Sequence, residues 1–384
     1  MTHITEPGLY PEMEALHDVL PDFEPFEGPV ADPIVLPETA LGDGIYFGLP
    51  EAEYHAQPRL SASGIKAMQA SVEDFWHDSW MNPLPDREER DSLTLGNAYH
   101  ARILEGKEAL DRQFAPMLDK ADYPDALDTV SELKARLSDL GLKVSGNKPE
   151  LIERLREANP DAVIWDDIVS AYGKKHAGKT FLHPDQLRRI EYAAAFIEKH
   201  PTLGKAFRGG QPEVTILWTD RETGVRMKSR LDYLKVRGIV DLKSFANKSS
   251  KPTDKAIMSE IANYRYHIQA AVYVEAIEVA KSLFTDGKVA GKHDPDWLKK
   301  CMATPEHQFM FVFQKSTKAP LVRSKVLPRD RMTIESGRSA MNIAMRQFRE
   351  FYDRFGDQGE PWLDFDAMNP SNIEDDEMPM YAFD

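Results

Sequence analysis

The chain has 384 residues, 42% of them hydrophobic and 29% charged, with a formal net charge of −15 and a single cysteine, Cys301. That length can bury a sizeable core in one large domain or two modest ones. No apolar run approaches the roughly 18 residues of a membrane span, and one cysteine, read as a buried bystander, excludes an intrachain disulfide framework and a cysteine-based zinc site.

The charge is unevenly spread. Residues 1–58 hold 12 acids and residues 357–384 hold 9, neither stretch has a Lys or Arg, and residues 59–356 therefore carry +6. A mildly basic body between acidic ends keeps nucleic acid among the candidate partners. The first residues, MTHITEPGLYPEMEALHDVL, have neither a basic n-region nor an apolar h-region, so a cytoplasmic location and no membrane partner are expected.

In chain order, residues 1–58 are rich in Pro and acids (DFEPFEGPVADPIVLPE) without helical or strand period, which predicts an extended or disordered arm. The body begins at LSASGIKAMQASVEDFWHDSW, where Ser61 or Ser63 caps a helix with Ile65, Met68, Val72, Phe75 and Trp76 at helical spacing. SLTLGNAYHARILEG predicts a second helix with His100 among apolar neighbours. Residues 128–158 predict two short amphipathic helices around GLKVSGNK, whose Leu133, Leu137, Leu140, Leu142, Val144, Leu151, Ile152 and Leu155 form a miniature core. A third long helix spans 185–200.

The period then changes. EVTILWTDRETGVRMKSRLDYLKVRGIVDLKS reads as three or four strands with turns at RETG and VRG. One long helix is expected at about 256–282, a strand at HQFMFVFQK and a closing helix over 329–355. From residue 357 to 384, ending IEDDEMPMYAFD, the chain reads as an acidic solvated tail. Helix, strand meander and helix in that order predict an α/β fold, a small mixed sheet flanked by helices, over residues 59–356.

Within RLDYLKVRGIVDLKS, Asp232 lies in one strand and the turn at Val236–Gly238 brings Asp241 back beside it. Alternation along the strand puts Asp241 and Lys243 on one face and Leu242 on the other. Two acids and an ammonium on one patch of a buried sheet cost several kcal/mol unless compensated. A salt bridge between Lys243 and one acid would do so; so would a divalent cation held by both.

An Asp, a hairpin and then Asp-x-Lys resembles the catalytic core of the PD-(D/E)XK nuclease superfamily. Gly96 and His100 on an earlier helix, Glu213 in QPEVTILW, and Gln269 with Tyr273 in YHIQAAVY resemble its RecB-like branch. LSASGIKAM, GNAYHARILEG, RLD, VDLKS and YHIQAAVY together resemble the RecE-type phage and prophage exonucleases, over roughly residues 60–280. The segment 128–158 resembles a SAP motif inserted into that core, at SELKARL, GL, SGNK and ELIERL.

These resemblances imply Mg²⁺, with Mn²⁺ as a substitute, held by Asp232 and Asp241 with the backbone carbonyl of Leu242. His100 and Glu213 are implied as further ligands, direct or through water. Lys243 would activate water and offset transition-state charge, while Gln269 and Tyr273 steady the site. Glu222 is an alternative to Glu213, and His267 is open to either a substrate-facing or a structural role. Lys134, Arg136, Lys143, Lys148 and Arg154 are the phosphate-facing candidates of the SAP-like segment. The implied activity is a 5' to 3' exonuclease on double-stranded DNA ends, working with a single-strand annealing protein as a ring-shaped homo-oligomer. A same-fold endonuclease and a catalytically silent DNA-binding body are the rival readings. A Cas4-like enzyme with an iron-sulfur cluster is disfavoured by the lone cysteine.

Overall fold

A computed structural model describes residues 32–35, 37, 40–84, 91–247, 251–317, 319, 321–357 and 359–365. The first elements, β1 (Gly44–Tyr46) and α1 (Glu51–Ala56), precede the predicted start of the body. The arm expected over residues 1–58 is corrected accordingly. β1 pairs with two neighbours in the main sheet, Ile34, Ile45 and Phe47 are buried, and the buried Arg59 donates to Asp43 and to the Leu41 carbonyl. So short an apolar run among prolines shows no period, which is why the pattern hid it. Residues 1–31, where most of that expectation falls, lie outside the described residues.

α2 (Ala62–Met68) starts at Ser61, whose Oγ accepts the Gly64 N–H, and α3 (Val72–Asp78) starts at Ser71, whose Oγ accepts the Asp74 N–H. The single helix expected there is two, because the second serine supplies its own cap. α4 (Asp91–His100) runs into a π-helical turn over Ala101–Glu105, and α5 (Lys107–Gln113) leads into β2 (Phe114–Pro116). Next come α6 (Val130–Asp139), α7 (Lys148–Ala158) and α8 (Trp165–Lys175), before β3 (Thr180–Leu182) pairs in parallel with β2.

That small ladder brings both ends of the intervening segment together, as an insertion requires. Capping boxes at Thr129/Glu132 and Asn147/Glu150 start α6 and α7. Leu133, Leu137, Leu151, Ile152, Leu155 and Ile164 form a core separate from the rest. Leu140 and Val144, expected in it, are each 40% exposed, whereas Ile164 and the partly buried Leu127 join it through a bridge. The unit thus extends beyond 128–158.

α9 (Pro184–Lys199) precedes the meander of β4 (Gln211–Thr219), β5 (Arg226–Lys235) and β6 (Gly238–Phe245). The one long helix expected next is two, α10 (Thr253–Asn263) and α11 (Tyr266–Thr285), broken where Arg265 adopts a left-handed conformation with φ 52°. β7 (Val289–Ala290), α12 (Pro295–Met302), β8 (Gln308–Lys315), β9 (Val322–Leu327) and α13 (Met332–Phe355) follow in the described residues.

Among the described residues the main sheet has seven strands in the order β7-β1-β4-β5-β6-β8-β9, more than the small sheet predicted. β6 runs parallel to β8 and β1 to β7, while the remaining neighbours are antiparallel. One face packs on α11, with α2, α3 and α13 around it. α13 approaches α11 so closely that a Cβ at Gly337 would stand 2.5 Å from the His267 carbonyl oxygen. On the other face, Leu104, Ile197, Val240, Leu242 and Val312 form a second layer beneath α4 and α9. The tail expected from 357 also needs correction: Trp362 is fully buried against Phe75, Phe348 and Phe351. Residues 366–384 lie outside the described residues.

Candidate active site

β5 and β6 pair from Lys235↔Gly238 to Tyr233↔Val240, and the ladder then stops. The next opposed residues are Asp232 and Asp241. Here the strands part, and the Leu242 N–H donates at 2.8 Å to Asp232 Oδ2, a side chain, in place of a backbone partner. The split hairpin therefore presents two almost fully buried carboxylates at one place in the sheet.

Asp241 faces α11, where Gln269 Nε2 donates to Asp241 Oδ1 at 3.0 Å and to the Tyr273 hydroxyl at 2.9 Å. One helical turn separates these two residues, which puts both on the face toward the sheet. Lys243 Nζ stands 2.6 Å from Asp241 Oδ2, so its ammonium is the partner of the second oxygen of this buried carboxylate. His100 ends α4, where the helix loosens into its π turn. Its Nε2 lies 3.1 Å from the Leu242 carbonyl oxygen and 3.7 Å from Asp232 Oδ2, and its Nδ1 lies 3.7 Å from Glu213 Oε1.

Glu213 falls opposite Asp232 in the β4–β5 register, where that ladder also skips a pair. Its φ is 53°, a conformation costing a non-glycine residue on the order of 1–3 kcal/mol. Arg230 holds it there, ion-paired with the Glu213 carboxylate and donating to the Leu49 carbonyl at 2.7 Å. The alternative acid, Glu222, instead pairs with Arg346 at 2.6 Å on the surface.

Three acids, Glu213, Asp232 and Asp241, are thus offset by His100, Arg230 and Lys243. Burial, and then the charge of Asp241, pushes the Asp232 pKa up to about 7. Burial works against charged His100, but Asp232 and Glu213 outweigh it and raise its pKa to about 9. Lys243 is likewise raised, because Asp241 and Asp232 overcome its burial. Glu213 is lowered: its burial is outweighed by His100 and Arg230.

Among the described residues no three His, Cys, Asp or Glu side chains converge on one point as a ready-made metal cage. Each acid is turned toward a protein cation or N–H. The donor chemistry nonetheless fits a hard divalent ion: a buried Asp241 oxygen whose partner is the Lys243 ammonium, an Asp232 whose ionisation burial and a neighbouring acid oppose, and a backbone carbonyl beside them. Such an ion would take over the compensation that Lys243 and protonated His100 provide.

Sequence reasoning passed over Lys66, Tyr266 and Arg230. Lys243 Nζ lies 5.2 Å from the Tyr266 ring centroid and Lys66 Nζ 5.8 Å. Lys66 stands in the quoted LSASGIKAM and Arg230 begins RLD, but a lone cation reads as solvated until its partners are known. His267 is partly buried, with its pKa lowered by burial and then by Arg265 and Lys66. In the insertion, Lys134, Arg136 and Lys143 are exposed. Lys148 bridges Asp128 and Asp166, and Arg154 donates to the Lys143 and Ser145 carbonyls, so these two are occupied in holding the module together.

No curated protein matches the chain. A crystal structure of a "Putative exonuclease" from Eubacterium rectale at 2.19 Å resolution is 16% identical, covering 85% of this chain and 96% of its own, with a TM-score of 0.44. Residues 61–285, more than half of the chain, match DUF3799, described as a PDDEXK-like domain of unknown function. That match takes in Asp232, Asp241, Lys243, His100, Glu213 and Gln269, and the chain belongs to this PDDEXK-like family of the PD-(D/E)XK nuclease superfamily.

Proposed function

We propose that the protein is a Mg²⁺-dependent exodeoxyribonuclease of the RecE type. It hydrolyses linear double-stranded DNA from its ends, 5' to 3', and leaves 3' single strands for an annealing protein. The observation that carries this reading is the split hairpin, which buries Asp232 and Asp241 together beside Lys243 and ties them to His100 and Gln269.

Asp232, Asp241 and the Leu242 carbonyl would hold the ion, with His100 and Glu213 as further ligands, direct or through water. Bound there, Mg²⁺ supplies Lewis-acid charge to the phosphate and makes water more acidic, with Mn²⁺ able to substitute. Lys243, once freed from Asp241, places an ammonium where phosphodiester hydrolysis gathers negative charge, and it orients the attacking water. Gln269 fixes the rotamer of Asp241, and Tyr273 fixes Gln269. Arg230 keeps the strained Glu213 turned toward the site. Lys134, Arg136 and Lys143 of the insertion contact DNA phosphates, and a ring of subunits encloses the duplex.

The test uses linear duplexes labelled at the 5' or the 3' end, with a closed circle alongside, in Mg²⁺ or EDTA. Mg²⁺-dependent release of 5' label from linear DNA, with the circle intact, is the expected result. Cutting of the circle would replace the exonuclease with an endonuclease of the same fold. Loss of 3' label first would reverse the polarity.

A further inference from the structure

A pair of tyrosines at the break between α10 and α11 has no part in the chemistry above. Tyr264 and Tyr266 stack with centroids 5.6 Å apart and planes 17° from parallel. Tyr266 is anchored from inside by Phe311 and Phe313, at 6.0 and 6.3 Å. Tyr264 lies outside it and is 57% exposed, so its outer face is open to a further ring.

Two ammonium groups face the pair, with the Asp241 and Glu260 carboxylates also near Tyr266, and they adjoin the split hairpin. Lys243, ion-paired with Asp241, also faces the Tyr266 ring, and Lys66 approaches that ring while donating to the Tyr264 carbonyl at 3.3 Å. Between the two tyrosines, Arg265 holds φ 52° and ψ 44° with no glycine to ease it. A straight helix would place residues 264 and 266 about 200° apart around its axis, on different faces. The left-handed residue is what lets the two rings stack, and backbone strain of this kind concentrates at binding and catalytic sites.

We propose that Tyr264 is a base-stacking platform: the nucleobase flanking the scissile phosphate extends the Tyr264–Tyr266 stack, while Lys66 takes the adjoining phosphate. The ligand class is a single DNA strand unpaired at the site, since a base within a duplex has both faces covered. This rests on the nuclease reading and adds a subsite to it. Stacking on an aromatic ring is indifferent to base identity, so the platform grips every sequence alike.

The test is binding of a fluorescent single-stranded oligonucleotide to the full chain in EDTA, where hydrolysis is excluded, with cleavage in Mg²⁺ measured in parallel. The proteins are wild type, Tyr264→Ala, Tyr264→Phe and Tyr264→Trp. Tyr264→Ala is expected to weaken binding about five- to 150-fold, the range found for removal of one base-stacking ring. Phe and Trp should retain affinity, since the ring and not the hydroxyl acts. An otherwise identical strand with abasic positions across the footprint should bind wild type and Tyr264→Ala alike. Equal affinity of wild type and Tyr264→Ala for the intact strand, in a protein that cuts DNA, overturns the platform alone. So does an undiminished alanine effect on the abasic strand. A folded wild type that neither binds nor cuts DNA overturns the nuclease reading and the platform with it.

Discussion

At the scale of single residues, the site is a balance of charges that metal-free protein keeps at some cost. The folded pKa of Asp232, about 7, lies above its ordinary 3.8, so the native state binds the extra proton between those values. Its contribution to stability therefore falls as pH rises from about 4 to about 7, and the penalty is complete above 7. Asp232→Asn removes that penalty and keeps an oxygen for the Leu242 N–H. Without divalent metal, the variant should melt a few degrees above wild type at pH 8 and lose that advantage near pH 4, by thermal unfolding across the range. An equal melting temperature at pH 8 would show that Asp232 is not under electrostatic strain. Removal of the Lys243 ammonium by Lys243→Ala should lower kcat on the order of 100- to 1,000-fold, the usual cost of one preorganised transition-state donor. KM should move far less. The residues legible in sequence are those linked by local geometry: Asp241 and Lys243 two apart on a strand, Gln269 and Tyr273 four apart on a helix. Arg230 and Lys66 were not legible, because what marks them is a contact with Glu213 in another strand or with Tyr266 some 200 residues away.

At the scale of elements, interruptions position the chemistry. The β5–β6 ladder stops at its acids, α4 loosens to a π turn just after His100, and α10 breaks from α11 just before Gln269. Hydrophobic period shows a helix but not such breaks, since apolar residues continue through them; the one long helix expected over 256–282 missed Arg265 for that reason. The meander from 211 to 245 was legible because strand alternation, RETG and VRG all agree. Gly337 tests how firmly α11 is seated. A methyl there meets the His267 carbonyl and Ala271 Cβ, both on α11 and neither able to rotate away. Gly337→Ala should destabilise the fold by about 1–3 kcal/mol, as overpacking does, and should weaken activity by shifting Gln269. Unchanged unfolding and activity would mean that α13 and α11 separate freely.

At the scale of the whole molecule, seven strands and two helical layers frame one hairpin, and the insertion hangs from β2 and β3 with a core of its own. Its exposed Lys134, Arg136 and Lys143 are expected to add to DNA affinity through phosphate contacts alone. Replacing all three by Ala should flatten the dependence of log affinity on log salt by roughly one unit for each lost contact. An unchanged slope would assign the module to protein contacts instead. The overall net charge concealed this possibility until the acidic ends were counted apart from the body. The central claim, hydrolysis of DNA at the split hairpin, is tested most directly by nucleotide release from linear double-stranded DNA in Mg²⁺, comparing wild type with a folded Asp241→Asn variant. The account predicts release by wild type, none in EDTA, and a loss of at least 100-fold in the variant. Equal rates in the two proteins, or no release by folded wild type, would contradict it.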